Sequence, residues 1–409
     1  MSIKSNNNQN VWILTEYFYP EQTPTSYYIT EIAKHFANNG FATKVICSNS
    51  SINIKVENKN FEQYAGLTIH RVSSPDLSKD KLIQRLFKLV ITSMMIFVKA
   101  CFKIKNNDVV FVATNPAFLI LFMPILKSIK RIKYYIIVHD VFPENLVVIN
   151  EKITGSIFYK FLKSIFNSAY RSADCCLTIG RDMSEVILQK TCNKAKTECI
   201  NIWSDDDSIK PIAKEQAPLY KSLQLNNKFI LEFAGNFGKA QGIEQLLESA
   251  LKLKKNTNIH FLFIGDGACK TLIERYIDEY NLNNISLIGY QKRESQIDFL
   301  NCCDVAIVSL KSKMYGLGVP SKAYNYMAAG KPILFIGDEY SEIDRCIKEY
   351  NIGYSVNSNS VDDLVEIILT LANNRQDLID KGILSRKLAE EEFSKNNTLN
   401  KFLDFCCTN

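Results

Sequence analysis

The chain has 409 residues, more than one ordinary hydrophobic core accommodates, and so predicts two domains. With 46% hydrophobic and 22% charged residues, and only 16 glycines and 10 prolines, it excludes global disorder and collagen-like or low-complexity sequence. The formal charge of +6 is a remainder: residues 1–200 hold 25 Lys+Arg against 15 Asp+Glu, residues 201–409 hold 24 against 28, and residues 81–133 carry ten basic side chains with Asp108 as their one acid. An asymmetry of this kind predicts an anionic partner for the N-terminal half.

In chain order, the polar start MSIKSNNNQN has no apolar core and predicts no signal peptide. Val11–Leu14, Thr43–Cys47, Val109–Ala113, Tyr134–Val138 and Cys175–Ile179 read as buried strands. The amphipathic stretches Tyr28–Asn39, Leu82–Phe102 and Ile157–Ser172 read as helices between them, which predicts βαβ units and a doubly wound, largely parallel sheet. The uncharged run from Val109 to Leu126 approaches a membrane span in length, but Thr114-Asn115-Pro116 is turn chemistry, so it reads as strand, turn and helix. The twelve cysteines form no C-x-x-C and mostly sit in apolar periodic segments, as small core residues of a reducing, cytoplasmic compartment do.

After Trp203 the polar, Pro-containing stretch 206–226 reads as a linker, so 1–205 is the expected first domain. The second domain, 227–385, restarts the alternation at Phe229–Ala234 and continues to a strand at Pro332–Ile336. The residues after Val361 read as helical, with 386–409 as a tail expected to pack back towards the N-terminal domain. Two such α/β domains leave a cleft, and open sheets bind ligands beyond the carboxyl ends of their strands.

Two glycine-containing loops could carry chemistry. Ala234-Gly235-Asn236-Phe237-Gly238-Lys239-Ala240-Gln241-Gly242 follows a strand and opens a helix, so backbone N–H groups and Lys239 could cradle a diphosphate; the same corner also occurs merely for tight packing. In Tyr315-Gly316-Leu317-Gly318-Val319-Pro320-Ser321-Lys322, Pro320 suits a first helical position, and Ser321, Lys322 and Asn325 can share one helix face. A capped helix stopped at Gly330 explains Pro320 and Gly330 but not the paired glycines before them. Gly265-Asp266-Gly267 reads as a structural β–α turn. In Val138-His139-Asp140-Val141-Phe142-Pro143-Glu144, Asp140 and Glu144 would point into a cleft, while His139 reads as a satisfied structural histidine. His35, His70, His139 and His260 are scattered and support no zinc cluster. Basic residues beside the apolar faces in 81–133 predict contact with an anionic membrane surface rather than nucleic acid, for which no recognition module is present.

These motifs, with Tyr17-Phe18-Tyr19-Pro20-Glu21 and Trp203-Ser204-Asp205, resemble glycosyltransferase family 4 over almost the whole chain, and in particular its bacterial O-antigen and capsule branch, which includes N-acetylfucosamine transferases. The resemblance implies a GT-B fold, two Rossmann-like doubly wound parallel-sheet domains facing a cleft with a helical C-terminal tail. It implies a retaining, metal-independent glycosyltransferase with no cofactor, since the nucleotide-sugar is a substrate. An N-acetylated amino sugar would pass from UDP to a polyprenyl-diphosphate-linked glycan, at the cytoplasmic face of the inner membrane. Carried over, Gly235, Asn236, Lys239 and Gln241 lie near the diphosphate with Gly318, Val319, Ser321 and Lys322 opposite. Tyr290 falls where the base is held, and Asn325 where many relatives place a ribose-binding glutamate. Attack would be front-side, with Lys322, Lys239 and the helix start at Gly318–Ser321 stabilising the departing diphosphate and Asp140 orienting donor or acceptor. The sequence departs from the family pattern in its glutamate pair: Leu317 and Asn325, eight positions apart, stand where both acids would be. A UDP-sugar 2-epimerase of the same architecture and a non-catalytic sugar-nucleotide-binding subunit are the alternatives.

Overall fold

The computed structural model describes residues 10–49, 67–75, 82–149, 151–357 and 359–406. The polar start up to residue 9 and Lys81 lie outside them. The chain divides into two compact units, one running to Asn201 and including Gly316–Gly318 and the chain from Leu399, the other comprising Ile202–Tyr315 and Val319–Thr398.

The first unit is built on β1 (Asn10–Leu14), α1 (Pro24–Asn38), β2 (Ala42–Ser48), β3 (Thr68–Val72), α2 (Leu82–Lys103), β4 (Val109–Ala113), α3 (Leu119–Lys130), β5 (Lys133–Val138), α4 (Asn145–Ile149), α5 (Ile157–Ser172), β6 (Cys175–Thr178), α6 (Arg181–Lys190) and β7 (Thr197–Cys199). Its seven strands are parallel, in the order β3-β2-β1-β4-β5-β6-β7. The central strands β4 and β5 are covered on both faces and are apolar almost throughout, as buried parallel strands must be. Right-handed crossovers place α2, α3 and α5, which all connect strands stepping the same way across the sheet, on one face. There α3 packs between α2 and α5. Helix starts are set locally: Thr23 caps α1 through Ser26 N, with Pro24 at its first position, and Ser156 caps α5 through Phe158 N.

The second unit continues with α7 (Pro218–Leu223), β8 (Phe229–Asn236), α8 (Ile243–Lys252), β9 (Ile259–Asp266), α9 (Lys270–Tyr280), β10 (Ile285–Ile288), α10 (Gln296–Leu300), β11 (Val305–Ser309), α11 (Lys322–Ala328), β12 (Ile333–Gly337), α12 (Glu342–Tyr350), β13 (Gly353–Asn357), α13 (Val361–Asn373) and α14 (Arg375–Glu391); α15 (Lys395–Leu403) begins in the second unit and ends in the first, which takes the chain from Leu399. Its six parallel strands run β10-β9-β8-β11-β12-β13, and Leu231 and Phe233 of β8, Phe261 of β9 and Ile307 of β11 are part of its core. The polar stretch after Trp203 is pinned down: Asp205 is buried in an ion pair with Arg293, and Asp206 Oδ1 accepts from Lys395 N.

The central strands and the longer helices match the sequence reading to within a few residues, whereas β3, β7 and β13 escaped it. All three are outermost strands whose side chains are only partly buried, so their hydrophobic pattern is weak. Among the described residues, no helix is long and apolar enough to cross a membrane, and Val109–Leu126 divides into β4, a turn and part of α3.

One close approach fixes α11 against α14: a Cβ on Gly382 would stand 2.5 Å from the carbonyl oxygen of Gly330. Gly382→Ala should therefore cost about 1–3 kcal/mol by overpacking, read as a lower urea midpoint, while the exposed control Lys387→Ala should stay within about 0.5 kcal/mol of the parent.

Candidate functional site

In the second unit the site grows from the point where two strands separate. β8 and β11 pair only at Leu231–Glu232 against Val305–Ala306, and β8 then runs on to Asn236 beside β9 alone. Ala234 N, which has no β11 partner there, donates to the hydroxyl of Tyr326 on α11 at 2.9 Å. That hydroxyl donates in turn to Glu232 Oε1 at 3.0 Å. Glu232 is fully buried, and burial pushes its carboxyl up to about 8 against the opposing effects of the Tyr326 hydrogen bond and Lys331. The strand opening is thus closed by one side chain from the helix that follows β11.

The same helix supplies Lys322. Gly235 has φ +131, in the region that favours glycine, and a Cβ there would lie 3.6 Å from Lys322 Cε and 3.7 Å from its Nζ. The ammonium sits 3.3 Å from the centroid of the Phe233 ring. Although the residue as a whole is only half-buried, its Nζ is enclosed and has no hydrogen-bond acceptor, and burial holds its pKa well below the ordinary lysine value. Buried polar atoms without partners on the segments that follow β8 and β11 include Gln241 Oε1 and Asn325 Oδ1. The structure thus brings Gly235 and Lys322 into direct apposition, and leaves Lys322, Asn325 and Gln241 each with unused hydrogen-bonding capacity.

The remaining expected residues are placed as follows. Asn236, the last residue of β8, and Lys239, on the turn after it, are exposed, and Tyr290, 57% exposed, follows β10. Val319 and Ser321 are half-buried ahead of α11, and Ser321 makes no side-chain capping bond. Pro320 does not take the first helical position; Ala323 N and Tyr324 N bond back to Pro320 O and Ser321 O, so the seven-residue α11 opens through a tighter turn. The Gly265–Gly267 corner is structural, as read: a Cβ on Gly267 would meet Asn236 Oδ1 at 2.5 Å and Phe237 N at 2.7 Å.

In the first unit, His139 and Asp140 follow β5, their backbone N–H groups donating to Thr114 Oγ1 at 3.1 and 3.3 Å. His139 is not the satisfied structural histidine expected. Its Nε2 is buried without a partner, and burial lowers its pKa to about 4, so the ring is neutral. Glu144, expected to bind substrate, is instead held by Lys190 at 2.6 Å and Lys163 at 3.6 Å; it anchors α6 and α5. Leu317 O accepts from Val141 N, and a Cβ on Gly318 would lie 3.8 Å from Asp140 Oδ1. Gly316 has φ +66, its N–H donates to the buried Asp182, and a Cβ there would strike Val186 at 2.5 Å. Packing therefore accounts for the first of the paired glycines without any ligand.

Among the described residues, no group of three or more His, Cys, Asp or Glu is placed to hold a metal ion. Residues 219–390 match the family model for glycosyl transferases group 1. The chain is 32% identical over 393 residues to a probable glycosyltransferase, WbjE, of Pseudomonas aeruginosa, covering 96% of each sequence. The chain is a group 1 glycosyltransferase. A second relative, the putative colanic acid biosynthesis glycosyl transferase WcaI of Escherichia coli, is 26% identical over 58% of each chain. Among solved structures, the transferase resembles sucrose-phosphate synthase of Thermosynechococcus elongatus (TM-score 0.74, 14% identity, 97% and 98% of the two chains). It also resembles Anabaena HepE in complex with UDP (TM-score 0.72, 12% identity, 97% and 99%). Both likenesses show the fold, the two-Rossmann-domain GT-B architecture.

The Glu232 carboxyl gives the transferase a testable pH signature. Its folded value of about 8 exceeds the ordinary 4.5, so the native state holds a proton that the unfolded chain releases. The stabilisation is complete below the unfolded value and is lost as pH rises through the folded one. Unfolding free energy should thus fall between pH 5 and pH 8 by roughly 1.4 kcal/mol per unit from this group, and Glu232→Gln should flatten that slope in urea titrations.

Proposed function

We propose that this transferase moves a sugar, an N-acetylated amino sugar carried by UDP, onto a polyprenyl-diphosphate-linked glycan during bacterial surface polysaccharide synthesis, with retention of configuration and without a metal. The observation that carries the reading is the enclosed Lys322 ammonium with no acceptor, lying across Gly235. A buried cation is costly without an anion, and a diphosphate oxygen at this place would supply one. The name of WcaI supports the polysaccharide setting, and the UDP held by HepE supports the donor class.

In this reading the second unit holds the donor and the first the acceptor. The acceptor hydroxyl attacks the anomeric carbon on the face from which the diphosphate leaves, the carbon–oxygen bond to diphosphate breaks, and the hydroxyl proton passes to a diphosphate oxygen. Lys322 neutralises the charge that develops on that oxygen, with the exposed Lys239 and the Gly235–Asn236 backbone beside it. Gln241 and Asn325 turn their unpartnered oxygens to donor hydroxyls, Asn325 taking the ribose, and Tyr290 stacks on the base. Asp140 orients a sugar hydroxyl, and neutral His139 offers it a ring nitrogen. The lipid-linked acceptor sets the work at the cytoplasmic face of a membrane.

Lys322→Ala should lower kcat by about 10²–10³, the loss of about 2.7–4 kcal/mol that accompanies removal of one transition-state donor; near-parental turnover would overturn the assignment. UDP should bind more weakly to Lys322→Met than to the parent in calorimetry, because the variant offers the diphosphate no cation. The binding should persist in EDTA; its loss would refute the metal-free mechanism.

A further inference from the structure

α2, α3 and α5 lie together on one face of the first unit's sheet, and their inward sides are ordinary core, with Ile96, Met123 and Phe166 fully buried. Their outward sides depart from the pattern of a helix that faces water, which is polar there. Along α2, Phe87, Val90, Met94, Val98 and Phe102 recur at intervals of three and four and are all exposed. α3 adds Ile125 and Ile129. The sharpest feature is the start of α5, where Ile157 is 85%, Phe158 64% and Phe161 63% exposed within two turns. A stripe of this size on three neighbouring helices is far from the scattered apolar residues normal on a surface.

The charges on these helices have one sign. None of the three contains an Asp or Glu. Exposed or half-exposed Lys88, Lys103, Lys130 and Lys160, with Arg131 just past α3, lie on the same helices. The structure also separates the cations of 81–133 by duty. Lys99 Nζ donates to Arg71 O at 2.6 Å, and Lys127 Nζ is held by Asp174 at 2.8 Å and Ser172 O at 3.1 Å, so these two serve the fold and not a partner. An apolar face fringed only by cations, without the acids that a protein interface of mixed charge would carry, complements a surface that is itself apolar and uniformly anionic.

We propose that this face seats on an anionic lipid leaflet, with Ile157, Phe158 and Phe161 as its deepest-inserting point. The inference rests on the lipid-linked acceptor of the proposed function but not on the transfer chemistry. Helices that follow parallel strands begin at the strands' carboxyl ends, so the start of α5 belongs to the same end of the sheet as His139 and Asp140. Insertion there would bring that end to the leaflet, where the diphosphate of a lipid-linked glycan resides.

The test is flotation of the full chain with vesicles of phosphatidylcholine alone or mixed with phosphatidylglycerol. The parent should float with the mixed vesicles, less so at high salt. The triple variant Ile157→Ser, Phe158→Ser, Phe161→Ser and the triple variant Lys103→Glu, Lys130→Glu, Lys160→Glu should each bind them about tenfold more weakly. Both alter exposed or half-exposed side chains, and an unchanged UDP-induced thermal shift would show that their fold is intact. A parent that stays in solution, or a serine variant that floats like the parent, would overturn the proposal. So would a parent that dimerises in sedimentation equilibrium while the serine variant does not, because the face would then be an interface between copies. Failure of the parent to bind UDP would refute the donor reading and leave the flotation result standing.

Discussion

Where β8 and β11 part, the backbone of Ala234 would lose its hydrogen bond were it not for the hydroxyl of Tyr326. A parallel sheet can open at its switch point only if the freed N–H groups find other partners, since buried unpaired amides are costly. Tyr326 meets that requirement, and because its hydroxyl is also tied to Glu232, the helix carrying it is fixed in position. α11 is short, and its lateral fit depends on this clasp and on the close approach of Gly330 to Gly382. Lys322, four residues before Tyr326, lies where it does as a consequence. So does the opposition of its side chain to Gly235, which lies just beyond the clasped Ala234.

This arrangement gathers unsatisfied polarity where the strands part. Lys322 Nζ, Asn325 Oδ1 and Gln241 Oε1 are buried there without partners. A protein gains nothing in stability from such atoms, and each costs on the order of 1–3 kcal/mol while unpaired. Their grouping on segments that follow the carboxyl ends of β8 and β11 is what a ligand site requires, because binding then repays a desolvation already incurred. The Asn at 325 has the same logic. In the proposed function, a neutral amide there would present an acceptor to a donor hydroxyl without adding a negative charge next to the diphosphate.

The charge asymmetry of the chain gains a structural meaning in the same way. The excess of the N-terminal half falls heavily on α2, α3 and α5, which hold no acids, while several of its lysines are consumed internally, Lys190 by Glu144 and Lys127 by Asp174. The acidic second half nevertheless encloses the ammonium of Lys322 without an acceptor. A net charge summed over a domain describes steering at a distance, whereas a site is made by one ammonium in a desolvated position.

The amino-acid sequence by itself determined the two parallel-sheet units, the central strands and the glycine-bearing loops, because buried strands and amphipathic helices leave periodic signals within a few residues of one another. It also singled out Gly235, Lys322 and Asn325. Other features have no local signal. The outer strands β3, β7 and β13 are held by one good neighbour rather than by their own pattern. The pairing of Glu144 with Lys190, the clasp of Tyr326 with Glu232, and the unpartnered Nε2 of His139 each join or isolate groups far apart in the chain. The packing reason for Gly316 lies with Asp182 and Val186, more than a hundred residues earlier. Whether a polar side chain is spent on the fold or left available depends on which distant atoms fold up against it, and only the tertiary structure decides that.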